Sequence, residues 1–197
     1  MLLFSITLVF VGALASVFLR TTFPQIFSDE SSTPTKTEMQ PTIASDRWDF
    51  YRDESNKFSL PYPKGLTVEK STYGVGVNSI ELQDRTGTVK YRILIFPKRL
   101  GALIGQDFAA YKAMAPQTAT VISEVNAQEA QRFVKIRDRL VGQYEAIDFL
   151  STASPPEPNE IPEVGTYIEV GENVVVISTA EENKETLEAM LTDFRSL

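Results

Sequence analysis

The hydropathy pattern divides the chain into three stretches. Residues 2–19 carry no charge, and only Ser5, Thr7, Gly12 and Ser16 interrupt a run of Leu, Phe, Val, Ile and Ala. Coiled as a helix, this run spans about 27 Å, close to the roughly 30 Å of a bilayer's hydrocarbon core. Residues 1–20 therefore read as a transmembrane anchor or as a signal peptide. The signal-peptide reading rests on Ala13-Leu14-Ala15, whose small-x-small form suits cleavage. The anchor is favoured, because no Lys or Arg precedes the run and Val17-Phe18-Leu19 continues it past that point. Residues 21–46 then turn to Ser, Thr, Pro and charge, too poor in apolar surface to pack. They read as a flexible linker, and the same bias would also suit O-linked sugar. Residues 47–197 have the length of one domain with its own core.

Within that domain the spacing of apolar residues alternates between the strand and helix periods. Trp48-Asp49-Phe50-Tyr51 opens it as an aromatic strand, and after a polar turn Phe58, Leu60 and Tyr62 recur at period two. Pro61 and Pro63 have no N–H to donate, which places this strand at a sheet edge or ends it there. Residues 79–83 and 88–96 predict a hairpin with one buried face. In it, Val89, Tyr91, Ile93 and Ile95 oppose Lys90 and Arg92. Residues 106–115 predict a helix, with Asp107 near its N-terminal end and Pro116 stopping it. Strands are predicted at 133–140 and 143–150 around Gly142, and at 166–170 and 173–179 across Gly171-Glu172, with a proline-rich loop at 154–159 between the pairs. Val174-Val175-Val176-Ile177 is apolar on both faces, as a central covered strand is. A closing amphipathic helix follows from Leu187, Met190, Leu191 and Phe194 at i, i+3, i+4 and i+7. Thr179-x-x-Glu182 reads as its capping box and Arg195 as the cation at its end. The fold class is α+β, an antiparallel sheet flanked by helices.

Charge and composition then narrow the chemistry. The 19 Lys and Arg against 26 Asp and Glu give a net charge of -7, which repels phosphate backbones, so nucleic acid is not an expected partner. The chain has no Cys and no His. That removes thiolate nucleophiles, the commonest general base and the commonest metal ligand. Neither Gly-x-Ser-x-Gly nor His-Glu-x-x-His occurs, and no carboxylate pair stands in an apolar setting, so a hydrolase is disfavoured and no cofactor is expected. Gly74-Val75-Gly76-Val77-Asn78 lacks the third glycine and the Lys-Ser/Thr of a phosphate loop and reads as a connection. Asp46, Asp49, Asp53, Glu54 and Asn56 offer hard oxygen ligands without calcium-loop spacing, and read as solvated strand ends.

Two groups remain as possible partner-binding residues. Arg132, Lys135, Arg137 and Arg139 gather in one predicted strand and, with Lys90, Arg92, Lys98 and Arg99, would form a basic patch for an acidic partner. The simpler reading is separate solvated faces, each paired with nearby carboxylates. Trp48 and Phe58, with Phe50 and Tyr62, would line a ligand groove, or would simply be core.

The order of elements, together with Asn56-Lys57-Phe58-Ser59-Leu60-Pro61-Tyr62-Pro63, the run from Val89 to Pro97 followed by Asp107-Phe108, Gly142-Gln143-Tyr144 and the terminal strand plus helix ending Asp193-Phe194-Arg195-Ser196-Leu197, resembles the PsbP-like domain family. That family holds extrinsic lumenal proteins of photosystem II and many exported bacterial domains. The resemblance implies an antiparallel sheet flanked by helices, an exported location and no enzymatic activity, with the bacterial branch the better fit. The chain departs from photosystem members in lacking His, so no metal role is carried over. Leu66 follows Lys64-Gly65 where those members often place Trp. No functional residue is transferred. Arg20, on the C-terminal side of the apolar run, by itself favours a cytoplasmic domain, and the export implied by the resemblance outweighs that one cation. The expectation is a membrane-anchored, extracytoplasmic, non-enzymatic binding or scaffold domain with an envelope or membrane protein as partner. The alternatives are a photosystem-type accessory protein and a small-ligand receptor.

Overall fold

In a computed structural model of the chain, the described residues are 46–73, 76–104, 106–123, 130–155 and 160–197. They fall in one compact unit, and none of their helices is long and apolar enough to cross a membrane. The anchor or signal peptide at 1–20, the linker up to residue 45 and most of the proline-rich loop lie outside the described residues.

The elements run β1 (Trp48–Asp53), β2 (Phe58–Pro63), β3 (Thr67–Tyr73), β4 (Val77–Gln83), β5 (Val89–Pro97), a 3₁₀ segment (Lys98–Ile104), α1 (Phe108–Ala113), β6 (Ala119–Ser123), β7 (Ala130–Val141), β8 (Tyr144–Ser154), β9 (Glu163–Val170), β10 (Asn173–Ala180), a 3₁₀ turn (Glu181–Asn183), α2 (Lys184–Thr192) and β11 (Arg195–Ser196). Eight strands form one antiparallel sheet in the order β3-β4-β5-β10-β9-β8-β7-β6, and β1-β2-β11 form a small second sheet. The α+β class, an antiparallel sheet flanked by helices, is the architecture observed.

Strand pleating sends alternate residues of the large sheet to opposite faces, and each face has its own core. One face is covered by α2 and the small sheet. There Ile80, Leu82, Tyr91, Ile93, Ile95, Ile168, Val175 and Ile177 pack against Phe58, Leu60, Leu187, Met190, Leu191 and Phe194. The other face is covered over part of its area by α1 and the segment leading to it. There Phe96, Phe133, Ile147, Phe149, Tyr167, Val174 and Val176 meet Phe108 and Tyr111. β10 stands fourth of eight and feeds both cores, Val175 and Ile177 to one and Val174 and Val176 to the other, as its all-apolar run predicts. β5 departs from its one-faced pattern for the same reason: Phe96 is fully buried in the α1-side core, and Leu94 packs against it.

The turns follow their local chemistry. Gly142 (φ 59) and Gly171 (φ 58) supply the left-handed backbone between β7 and β8 and between β9 and β10. Between β4 and β5, Asp84 Oδ1 accepts from the Thr86 hydroxyl (2.6 Å), the Thr86 N–H (2.8 Å) and the Thr88 N–H (3.1 Å). These bonds, the Thr86 hydroxyl foremost, hold its carboxyl down to about 2. β2 ends at Pro63, and its second neighbour β11 reaches only Phe58 and Ser59, so Pro61 interrupts no ladder on that side.

The closing helix is shorter than its pattern predicts and is capped differently. Thr179 remains in β10, opposite Tyr91 and Val164, and its hydroxyl donates to the Lys90 carbonyl (2.6 Å), so it forms no capping box. A 3₁₀ turn follows, and α2 begins at Lys184 with Asn183 at its N-cap making no side-chain cap bond. Arg195 lies beyond the helix in β11, where it donates to Asp193 (3.0 Å) and pairs with Ser59. The predicted helix at 106–115 narrows to α1, capped by Asp107 Oδ1 accepting from the Ala110 N–H (3.1 Å).

Candidate functional site

The basic strand is divided by a bulge. The register of β7 against β8 shifts between Lys135 and Arg137, so that Lys135 opposes Phe149 and Arg137 opposes Asp148, with Ile136 as the extra residue. One inserted residue reverses the side on which odd-numbered side chains stand. Phe133 and Lys135 face α1, whereas Arg137, Arg139 and Val141 face α2. The bulge therefore splits the three alternating cations that sequence placed on one face.

Lys135 is fully buried. Its ammonium donates to the carbonyls of Lys112 (2.8 Å) and Met114 (2.8 Å), at the C-terminal end of α1, and pairs with Asp138 (2.8 Å). Three donors meet three acceptors, at the end of a helix where carbonyls lack partners. The chain after α1 wraps this point: Gln117, at φ 63, donates its N–H to the Lys135 carbonyl (2.7 Å) and its Nε2 to that of Ile136 (3.2 Å). Lys135 thus holds α1 to the sheet.

On the opposite face Arg137 and Arg139 join two carboxylates. Arg137 Nε donates to Asp148 (2.6 Å) and its guanidinium also reaches Glu188 (3.0 Å). Arg139 reaches Asp148 (3.3 Å) and Glu188 (2.6 Å). Asp148 takes a further bond from the Thr166 hydroxyl (2.7 Å). The four charges link β7, β8 and α2, and hydrogen bonding to Glu188 with the nearby carboxylates raises the Arg139 pKa against the opposing effect of its burial. Beside them a groove of about 280 Å³ runs beneath α2, with Thr166, Lys184 and Glu181 on its walls. The Arg137 side chain, 53% exposed, stands at this groove. Arg132 is exposed farther along β7, and Lys90, Arg92 and Lys98 pair with Asp84, Glu81 and Glu169 respectively. The structure does not gather the cations into one patch.

Of the aromatic candidates, Phe58, Trp48 and Tyr62 pack in the core on the α2 side, whereas Phe50 is exposed. Phe58 is fully buried and stacks on Phe194 with ring centroids 5.2 Å apart, and Trp48 is half-buried against the same core. Asp53, one of the possible oxygen ligands, is spent on its own turn. It accepts from the backbone N–H groups of Ser55 (3.1 Å) and Asn56 (2.9 Å) and from the Asn56 side chain (3.0 Å). Among the described residues no group of three acidic side chains is placed to hold a metal ion.

Sequence reasoning passed over the α1-side face. Four rings, Tyr111, Phe133, Phe149 and Tyr167, pack there, the first pair 4.2 Å apart between centroids and the last pair 5.0 Å. Phe149 lies over Gly165 on the neighbouring strand, so closely that a Cβ on Gly165 would meet its ring at 2.5 Å and the Ile177 carbonyl at 2.7 Å. Burial pushes the Tyr111 phenol up to about 12 and that of Tyr167 well above its ordinary value, and the Tyr167 hydroxyl donates to Gln106. Where α1 stops covering this face, a cavity of about 110 Å³ opens, walled by Arg92, Gln106, Ser151, Glu163 and Ser178 over Tyr167. The only signal in the sequence is polar residues at inward positions of strands otherwise apolar, Ser178 after Val174 and Val176 being the plainest. A third hollow of about 420 Å³ lies along α1, bordered by Lys98 and Lys112, whose ammonium groups pair with Glu169 and Glu145.

No family model matches the chain, and no curated protein matches it. Among solved structures the chain is similar to the solution structure of cyanobacterial PsbP (CyanoP) from Synechocystis sp. PCC 6803. That alignment covers 80% of this chain and 97% of the other at 12% identity, with a TM-score of 0.48.

Proposed function

We propose that the chain is a non-enzymatic binding or scaffold domain, held at a membrane by its N-terminal apolar segment with residues 47–197 on the extracytoplasmic side. The observation that carries the binding role is the groove beneath α2. It is a concave surface on strands and a helix, on which Arg137, Asp148 and Glu188 are held by one another and by the neighbouring Arg139. Such a surface presents oriented charge to a protein partner at little ordering cost. The uncharged run at 2–19 supports the anchoring, and the lack of His and Cys supports a role other than catalysis.

A photo-crosslinking residue in place of Lys184, in the intact chain in its native membranes, tests the role. One reproducible adduct with a membrane or envelope protein is expected, and it is lost when Arg137→Glu reverses the charge at the groove. Adducts that persist unchanged in that variant, or no adduct, remove the groove as the binding surface. Protease added outside the cytoplasmic membrane should digest residues 47–197, and protection would reverse the assigned side.

A further inference from the structure

The cavity on the α1 side has features that neither folding nor a partner beneath α2 accounts for. Its floor comes from four neighbouring strands in register. Arg92 of β5 stands opposite Ser178 of β10, Ser178 opposite Gly165 of β9, and Glu163, two residues before Gly165, opposite Ser151 of β8. Arg92 and Glu163 therefore flank β10 from strands about 10 Å apart, two strand spacings, with the Ser178 hydroxyl between them.

Each polar group there is left with capacity. Ser178 is only 6% exposed, yet it lines the cavity. The Glu163 carboxylate forms no ion pair among the described residues. Arg92 touches Glu81 through one nitrogen at 3.4 Å, leaving most of its five donors free. Gln106 uses its side-chain oxygen on the Tyr167 hydroxyl, which keeps its amide N–H groups for another acceptor.

From this arrangement we infer that the cavity between Arg92 and Glu163 binds a small zwitterion of the free α-amino acid class. The carboxylate meets the Arg92 guanidinium, which suits it as a two-pronged donor, and the Gln106 amide. The ammonium meets Glu163 and the serine oxygens of Ser151 and Ser178. A simple anion would leave Glu163 unanswered and meet the repulsion of Glu81. A simple amine would leave Arg92 half-partnered. The cavity, at about 110 Å³, limits the side chain to the size of those of glycine, alanine or serine. This site is on the opposite face of the sheet from the α2 groove and does not depend on the partner proposed there.

The test is isothermal titration of the full chain in detergent with glycine, L-alanine and L-serine, and with acetate and ethylammonium as single-charge probes. Saturable binding of at least one of the three amino acids is expected, with neither single-charge probe binding comparably. Arg92→Met and Glu163→Gln should each weaken it at least about tenfold. Both positions border solvent, and unchanged thermal unfolding identifies folded variants. Ser178→Ala, which removes only the hydroxyl, should weaken binding several-fold and gives a second reading if either charge variant misfolds. No saturable binding by any of the three, equal binding of acetate or ethylammonium, or affinities untouched by all the substitutions would each overturn the inference.

Discussion

The two faces of the eight-stranded sheet solve the problem of coverage differently. On one, α2 and the small sheet lay aliphatic and aromatic side chains over most of the surface, so that Phe58, Leu60, Ile93, Ile168, Ile177 and Met190 are all completely buried, and Arg137, Arg139, Asp148 and Glu188 pair with one another beside it. On the other, a six-residue helix covers part of the area, is held by a buried lysine, and leaves polar residues at inward positions beyond its reach. Where apolar surface covers a face, burial alone specifies it. Where that cover stops, polar groups must be met one by one, as the four charges beside α2 are by one another.

Substitutions sharpen this contrast, the largest effect first. Phe58→Ala removes a ring that stacks on Phe194 and lies 6.0 Å from Tyr51 between centroids. It should cost about 4 kcal/mol of global stability in urea unfolding, because the site is sealed on every side. A loss below about 1 kcal/mol would mean that the α2-side core collapses easily around the gap. Gly165→Ala drives a methyl into the Phe149 ring and the Ile177 carbonyl and should cost about 2–3 kcal/mol, since a strand carbonyl cannot step aside. Part of that strain should reach the zwitterion cavity, which Phe149 also lines.

Lys135→Met tests whether the α1 side is separately held. The methionine fills a similar volume but leaves the carbonyls of Lys112 and Met114 without their donor, a cost of about 2 kcal/mol. Because the loss is local, amide exchange should accelerate at Phe108–Ala113 while amides of β10 keep the protection of the whole domain. Equal acceleration in both would show that the two faces unfold as one and that Lys135 is not a local clamp.

The same contrast explains what the sequence discloses. The central strand β10, the β4–β5 and β9–β10 hairpins and the stripe of α2 are legible because burial on a face writes itself as a hydrophobic period. β3 and β6 are not marked by it: both are edges of the large sheet, and Thr67–Tyr73 carries a single aliphatic residue, Val68, on its inner side. The bulge at Ile136 is invisible as well, since alternation past it looks unbroken while its meaning reverses. Hence Lys135, read as one of a row of surface cations with Arg137 and Arg139, is instead the clamp on α1. Thr179 and Glu182 have capping-box spacing, but spacing does not report that the strand continues through Thr179 and engages its hydroxyl. The polar cavity draws on β5, β8, β9 and β10 and on Gln106, positions that only the strand order brings together.

Alkali offers the finest test of the two faces, because both hold tyrosines whose ionisation burial opposes. Tyr51 on the α2 side and Tyr111 on the α1 side are each pushed up to about 12, and Tyr167 is raised well above its ordinary value, desolvation being the largest cause in every case. An acid whose pKa is higher in the folded state loses its proton first in the unfolded chain. The unfolded state is therefore favoured as pH climbs above about 10, the unfolded phenol's value, and the stability present below that pH is lost progressively up to about 12. Each fully shifted phenol contributes a slope of about 1.4 kcal/mol per pH unit in that window. Tyr167→Phe should cost little at pH 7, where it forfeits one hydrogen bond to Gln106, and should make the decline above pH 10 shallower by about one phenol's share. Urea midpoints measured from pH 8 to 12 for the two proteins decide it. Parallel curves would mean that the α1-side face opens to solvent before Tyr167 ionises, and that its partial cover is too loose to hold a buried phenol neutral.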